Sequence, residues 1–257
     1  MKFRPCIDIH NGKVKQIVGG SLKDQNDQAQ ENFVSQQDAA FYADFYRSKN
    51  IKGGHIILLN PSTSPYYEAT RQQAFHALRA YPQGLQVGGG ITCDNAEDFL
   101  QAGASHVIVT SYVFRNGNVS WENLEKIKNA VGKERLVLDL SCRKRGGEYF
   151  IVTDRWQKFT KVKITPETLK ELSSYCDEFL IHAVDVEGKA SGIEVPLVKL
   201  LADCENKSIT YAGGVGNFEH LQQLREVGKN SIDVTVGSAL DLFGGPMSFE
   251  KILEFCK

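Results

Sequence analysis

Two aspartates stand in runs that are otherwise apolar. Asp8 lies within Cys6-Ile7-Asp8-Ile9, and Asp139 within Val137-Leu138-Asp139-Leu140. A carboxylate in such a run is costly to bury unless it is paired or used. The two lie about half a chain apart, as equivalent positions in two similar halves would. Two carboxyl groups facing each other across a site can supply one acid and one base for proton transfer. The alternative is structural: each carboxylate accepts hydrogen bonds from N–H groups of a neighbouring loop.

A second pattern is also duplicated. Gln86-Val87 runs into Gly88-Gly89-Gly90-Ile91, and Tyr211-Ala212 runs into Gly213-Gly214-Val215. Each copy is followed by a short β-type run with small residues at its end: Val109-Thr110-Ser111 after the first, Val236-Gly237-Ser238 after the second. A glycine turn between a strand and a helix lets backbone N–H groups close on an anion. Singly, such a turn is equally well a tight connection. Long-period repetition points to two half-domains, each with one anion site. The predicted phosphate contacts are Gly89 and Gly90 with Thr110 and Ser111, and Gly213 and Gly214 with Gly237 and Ser238.

These residues need elements to hold them. Strand-like segments fall at 5–9, 55–59, 85–87, 106–110, 136–140, 179–183, 209–211 and 232–236. Most lack period-two alternation, as strands covered on both faces do. Helical segments lie between and after them, at 38–48, 66–81, 94–102, 121–131, 166–174, 196–203, 218–227 and 248–255. Eight strand–helix units in a chain of 257 residues predict an α/β fold, a (β/α)8 barrel of one domain spanning 1–257. Its half-barrels would run over about 1–131 and 132–257. An open doubly wound sheet is the rival, but it gives no reason for two equivalent halves.

In a barrel the site lies at the C-terminal ends of the strands. That rule adds His10 after the first strand, Arg143 after the fifth, and His182 and Asp185 at and after the sixth. His10, His55, His76, His106 and His220 show no metal-ligand spacing, and no metal site is expected. Two long loops break the regularity. Loop 19–37 is polar, with an apolar spot at Phe33-Val34, and reads as a lid. The segment from Arg143 to Trp156 reads as a small hairpin ending in an aromatic residue. Trp156 either stacks on a planar ring or anchors that loop.

Composition narrows the function classes. The formal net charge of −1 gives no support for nucleic-acid or membrane-surface binding. No apolar run approaches the roughly 18 residues that span a bilayer. The chain enters a strand at once, so no leader is expected, and a cytoplasmic location follows. Six scattered cysteines form no Cys-x-x-Cys pair, which fits reduced thiols.

Taken in order, Cys6-Ile-Asp-Ile-His-Asn-Gly-Lys-Val14, Gln86-Val-Gly-Gly-Gly-Ile91, Asp139-Leu-Ser-Cys-Arg143, Ile181-His-Ala-Val-Asp-Val-Glu-Gly188 and Tyr211-Ala-Gly-Gly-Val215 resemble the eukaryotic-type phosphoribosylformimino-5-aminoimidazole carboxamide ribotide isomerases of histidine biosynthesis. The resemblance covers essentially the whole chain. It implies a two-half barrel and an Amadori rearrangement of a bis-phosphorylated aminoaldose ribotide into an aminoketose. It implies Asp8 as general base at the sugar C2 and Asp139 as the acid that opens the ribose ring. It implies no cofactor, and a small-molecule substrate for what is expected to be a monomer. Thr92 follows Ile91 where many bacterial relatives carry arginine, and Ala183 stands where they often carry threonine. The group orienting the acid is therefore expected to differ, with His182 a candidate. Two alternatives share the barrel: the cyclase subunit of imidazole glycerol phosphate synthase, and a non-catalytic phosphoribosyl-binding barrel.

Overall fold

The computed structural model describes residues 1–17, 21, 30–204 and 207–257. Eight parallel strands form its frame: β1 (Cys6–His10), β2 (Gly54–Leu58), β3 (Leu85–Gly88), β4 (Val107–Val109), β5 (Leu136–Asp139), β6 (Glu178–His182), β7 (Ser208–Ala212) and β8 (Asp233–Thr235). Each pairs with the next in chain order. The ring closes through the residues before β1. Phe3 bridges Val234 in parallel, with Arg4 N–H donating to the Val234 carbonyl at 2.8 Å and Val234 N–H to that of Lys2 at 2.9 Å. No backbone edge is left open between first and last strand, the usual advantage of a barrel.

A helix follows each strand: α1 (Ala39–Ser48), α2 (Tyr67–Ala80), α3 (Ala96–Gln101), α4 (Trp121–Val131), α5 (Pro166–Ser173), α6 (Val195–Ala202), α7 (Phe218–Val227) and α8 (Phe249–Phe255). Several begin on a polar cap that satisfies a free N–H. Asp38 accepts from Phe41 N–H at 2.9 Å, and Asn217 from His220 N–H at 2.9 Å.

The period of two along a strand sorts the side chains. One set, including Ile7, Ile9, Ile56, Leu58, Val107, Leu136, Leu138, Phe179, Ile181 and Tyr211, joins the helices in one large core. The alternate set fills the barrel in layers. At the floor, buried Glu178 accepts from Gln86 Nε2 at 2.9 Å and from Thr210 Oγ1 at 2.6 Å. Arg4 lies 4.0 Å from it and 2.8 Å from Asp233. Above that lies a small apolar layer of Ile57, Ile108, Val137 and Leu180. On β5 and β6 the next inward positions are Asp139 and His182. The same alternation that seals the barrel thus aims the candidate catalytic groups at its mouth.

Loop 19–37 contains more order than a bare lid. Its residues 19–20 and 22–29 lie outside the described residues. Glu31–Val34 is a strand paired antiparallel to Lys13–Ile17, and Phe33 packs against Phe243 with ring centroids 5.6 Å apart. The apolar spot therefore anchors the hairpin to the barrel wall. The predicted small hairpin after β5 is a three-stranded sheet of Cys142–Arg145, Glu148–Thr153 and Lys158–Lys163.

Candidate active site

Both glycine turns need glycine for space and for backbone conformation. Gly89 and Gly90 have φ of 97° and 73°, and Gly213 and Gly214 of 117° and 78°. A Cβ on Gly89 would lie 2.1 Å from the Leu58 carbonyl, and one on Gly214 1.9 Å from that of Gly192. The first turn is also tied down from its far side. Asn95 accepts from Thr92 N–H at 2.9 Å and donates to the Gly90 carbonyl at 3.0 Å.

Two cavities open at the strand ends. The larger, about 400 Å³, is lined by Gly89, Gly90, Thr110 and Ser111 together with Asp8, Asp139 and Trp156. The smaller, about 30 Å³, is lined by Gly213, Gly214, Gly237 and Ser238 together with Asp8 and His182. Each glycine turn thus shares a cavity with the strand end predicted to partner it. Asp8, His182 and Glu187 line both cavities and form the partition between them. The smaller cavity as it stands holds one or two waters.

The two aspartates have opposite surroundings. Asp139 Oδ1 accepts from Ser141 N–H at 2.8 Å and Ser141 Oγ at 2.7 Å. Its Oδ2 accepts from Thr110 Oγ1 at 3.1 Å. His182 Nδ1 lies 3.6 Å from Oδ1, beyond hydrogen-bond length but close for an ion pair. Burial alone would push the Asp139 carboxyl up. The His182 imidazolium and the Ser141 donors outweigh it and hold the group below the ordinary carboxylate range. Among the described residues none donates a hydrogen bond to Asp8 in this way. Removal from water pushes it to about 7, His182 pulling down and Glu187 pushing up.

His182 is buried and would lose its charge on that ground. The adjacent Asp139 carboxylate, with Glu187 and Asp8 behind it, raises it instead to about 9. His55 is held neutral, its pKa lowered to about 3 by burial and by the His182 charge. Its ring meets that of His182 edge-on at 5.9 Å, and Trp156 lies on another side at 5.8 Å. Glu187 is raised by burial, and its Oε2 is buried with no hydrogen-bond partner among the described residues.

Trp156 is held by its indole N–H, which donates to Ser141 Oγ at 3.0 Å. Its backbone completes a left-handed run of three non-glycine residues, Asp154, Arg155 and Trp156, with φ of 50°, 56° and 67°. Each such residue costs roughly 1–2 kcal/mol. Strain of this kind collects where a side chain must be aimed at a site.

Three candidate residues lie apart from the cavity walls. His10 is buried at the end of β1, where it pairs with Lys13 across the hairpin. Arg143 and Asp185 bond each other, Nε to Oδ1 at 2.8 Å, and Lys144 N–H donates to Asp185 at 2.8 Å. Asp185 thereby clamps the Cys142–Arg145 strand to the loop after β6. Conversely, Glu187, His55 and Arg155 line the cavities and were not singled out from sequence. Glu187 does fall inside the Asp-Val-Glu-Gly stretch, where a carboxyl two residues from another was the available signal.

Residues 2–245 match the family model described as histidine biosynthesis protein. A protein of Medicago truncatula is 51% identical over 259 residues, covering 99% of this chain and 81% of its own. It is named as the chloroplastic 1-(5-phosphoribosyl)-5-((5-phosphoribosylamino)methylideneamino) imidazole-4-carboxamide isomerase. Proteins with the same isomerase name from Neurospora crassa and Saccharomyces cerevisiae are 44% and 42% identical. Each alignment covers 95% of this chain and 93% of the relative.

Proposed function

The chain belongs to the histidine biosynthesis protein family, and on that premise we infer that it is the isomerase its relatives are named for. It converts a phosphoribosylamino aldose, carrying a second phosphoribosyl group on its imidazole end, into the corresponding ketose. The observation that carries this reading is the pair of cavities, each walled by one glycine turn and its partner strand end, with Asp8 and His182 on their common partition. The relatives' name describes a molecule with two phosphoribosyl arms, which is what two separated anion sites would grip.

The chemistry is proton movement. The furanose ring opens when its oxygen is protonated and the anomeric nitrogen forms an iminium ion. Loss of the C2 proton gives an enolamine, which tautomerises to the ketose. Asp8 and Asp139 are proposed as the residues organising these transfers. Gly89, Gly90, Thr110 and Ser111 are proposed to hold one phosphate, and Gly213, Gly214, Gly237 and Ser238 the other. Asp8 suits the base role. A base poised near neutrality is both partly ionised and strong enough to take a carbon-bound proton. Trp156 is proposed to cover the sugar or the imidazole. We further propose one barrel domain of two half-barrels meeting near residue 131, acting as a monomer.

Among the described residues no helix is long and apolar enough to cross a membrane. The plant relative is named as chloroplastic, so a cytoplasmic location for this chain is a proposal that cell fractionation decides. The cyclase reading predicts a requirement for ammonia, and the non-catalytic reading predicts no turnover. The function is tested in a histidine auxotroph lacking its own isomerase. Expression of this chain should restore growth without histidine. Failure to grow, with the folded protein demonstrably present, would contradict the reading.

A further inference from the structure

The cavities put carboxyl groups where a phosphorylated ligand must go. Asp8 and Glu187 line both, and Asp139 and Asp154 line the larger. Among the described residues, Arg155 and Lys158 are the lysine and arginine groups on these walls. Lys158 Nζ already lies 3.1 Å from Asp154. A ligand with two phosphates brings about three to four negative charges to this mouth. Backbone N–H groups hold a phosphate at contact but reach little further. Attraction at a distance needs full charges, and most of these lie beyond the walls.

They are gathered at one place on the rim. Residues 142–163 hold seven lysines and arginines against two carboxylates, whereas the whole chain carries −1. These residues form the three-stranded sheet after β5. The sheet spans neighbouring strand ends. Cys142 bridges Ala183, just past β6, and Lys161 N–H donates to the carbonyl of Gly117, after β4, at 2.7 Å. Val152 is part of the larger cavity's wall. The period of two puts Phe150 on the same face as Val152, and Arg143 and Lys163 stand opposite Phe150 on the two flanking strands. A basic face thus runs outward from the cavity wall. Exposed Arg145 lies over the rings of Phe150 and Phe159 at 4.6 and 4.7 Å, which orders the side chain without neutralising it. Among the described residues neither Arg145 nor Lys161 has a carboxylate at ion-pair distance.

We propose that this sheet is an electrostatic collector for the doubly phosphorylated ribotide. Arg145, Lys161 and Lys163 draw the anion to a mouth whose own walls are rich in carboxyl groups, and they do not touch it once it is bound. This rests on the isomerase reading above. None of the three lines either cavity. Their field raises the concentration of the anion at the rim and the rate of its capture, so it enters kcat/KM and leaves kcat alone. Three unit charges on the order of 15 Å from a ligand of charge about −4 change its capture by about tenfold or more at roughly 10 mM salt. At roughly 0.15 M salt screening reduces this to about twofold.

The test measures kcat and kcat/KM against ionic strength in the wild type and in the triple variant Arg145→Gln, Lys161→Gln, Lys163→Gln. A control triple, Lys52→Gln, Lys133→Gln, Lys229→Gln, makes the same charge change at exposed positions just before β2, β5 and β8, at the opposite end of the barrel. At roughly 10 mM salt the sheet triple should lose about tenfold or more in kcat/KM, shrinking to within about twofold at roughly 0.15 M, with kcat unchanged. The control should stay within about twofold throughout. Arg145→Lys with Lys161→Arg and Lys163→Arg alters every side chain but keeps the charges, and should match the wild type. Lys161→Glu alone leaves the stacked Arg145 in place, so it tests the field where the triple fails to fold. It should lose about fivefold or more in kcat/KM at roughly 10 mM salt. A loss independent of salt, an equal loss in the control or in the charge-keeping variant, or no loss at low salt would overturn the proposal. No turnover by wild type would strike the isomerase reading itself, whereas an active wild type matched by the sheet variants at low salt strikes the collector alone.

Discussion

Trp156 donates its indole N–H to the Ser141 hydroxyl at 3.0 Å, and that hydroxyl donates onward to Asp139 at 2.7 Å. An aromatic residue on a mobile type of element, a loop, is thereby wired to the carboxylate at the end of β5. The same loop is strained at Asp154, Arg155 and Trp156, and Asp154 N–H is tied to Ser111 Oγ at 3.2 Å. Trp156→Phe keeps an aromatic face but loses this bond. One hydrogen bond of about 1 kcal/mol corresponds to roughly a fivefold loss in kcat/KM. The chain's other tryptophan, Trp121, starts α4 and is partly exposed. Emission changes on substrate binding should therefore vanish in Trp156→Phe, and their persistence would remove Trp156 from the site.

Asp8 links function to stability. Its carboxyl is pushed by burial from the ordinary range to about 7, so ionising it opposes folding. The penalty is absent below about pH 4, grows between 4 and 7, and is complete above 7. Asp8→Asn should abolish that penalty. Allowing for the partial exposure of the side chain, the gain should be roughly 2 kcal/mol at pH 8 and near zero at pH 4. Turnover should fall by about 10²–10⁴-fold. Thermal melts at the two pH values check the first part. A variant as unstable as wild type at pH 8 would contradict the origin given for the raised pKa.

The two glycines of the first turn should behave differently. A Cβ at Gly89 meets a backbone carbonyl at 2.1 Å, whereas one at Gly90 meets nothing within 4 Å. Gly89→Ala should fail to fold or lose several kcal/mol, on the order of the largest single-site effects. Gly90→Ala should cost only about 1–2 kcal/mol for its φ of 73°. Its methyl group would project into the space proposed for a phosphate. KM should then rise more than kcat falls. Equal melting temperatures for the two variants would contradict this.

The floor of the barrel should be separable from its mouth. Glu178→Ala removes the acceptor shared by Gln86 and Thr210 and faced by Arg4. Breaking a buried charged network of this sort costs about 3–5 kcal/mol. Chemical denaturation should show that loss, while kcat at a temperature where the variant is folded stays close to wild type. A large drop in kcat would mean that the floor is coupled to the site.

Much of this was legible in the residues. All eight strands and eight helices lie within a few positions of where apolar runs and caps put them, because strands buried on both faces leave little else to read. Asp8 and Asp139 stood out because a charge within an apolar run has few explanations. Alternation could have said more: Glu178, Leu180 and His182 share the inner face of β6, and that spacing marks His182 as reaching the mouth. Other features depend on contacts that no local pattern encodes. The Arg143–Asp185 pair joins two separate loops, so nothing in either stretch says that each satisfies the other. Glu187 faces the partition because of the path its loop takes past Gly213. The packing of Phe33 depends on Phe243, more than two hundred positions away. Nor does sequence reveal which carboxyl is ionised. That follows from Ser141, Thr110 and His182 converging on Asp139, while among the described residues none donates to Asp8.

This barrel is proposed to isomerise an aminoaldose ribotide with its own acid–base groups. The direct measurement is conversion of that aminoaldose by the purified chain in buffer without ammonia or any glutaminase, followed by absorbance and by identification of the product. Multiple turnovers to the aminoketose are expected, with kcat/KM falling below about pH 7 as Asp8 takes up a proton. No conversion by the folded protein, or conversion that begins only when ammonia is supplied, would contradict it.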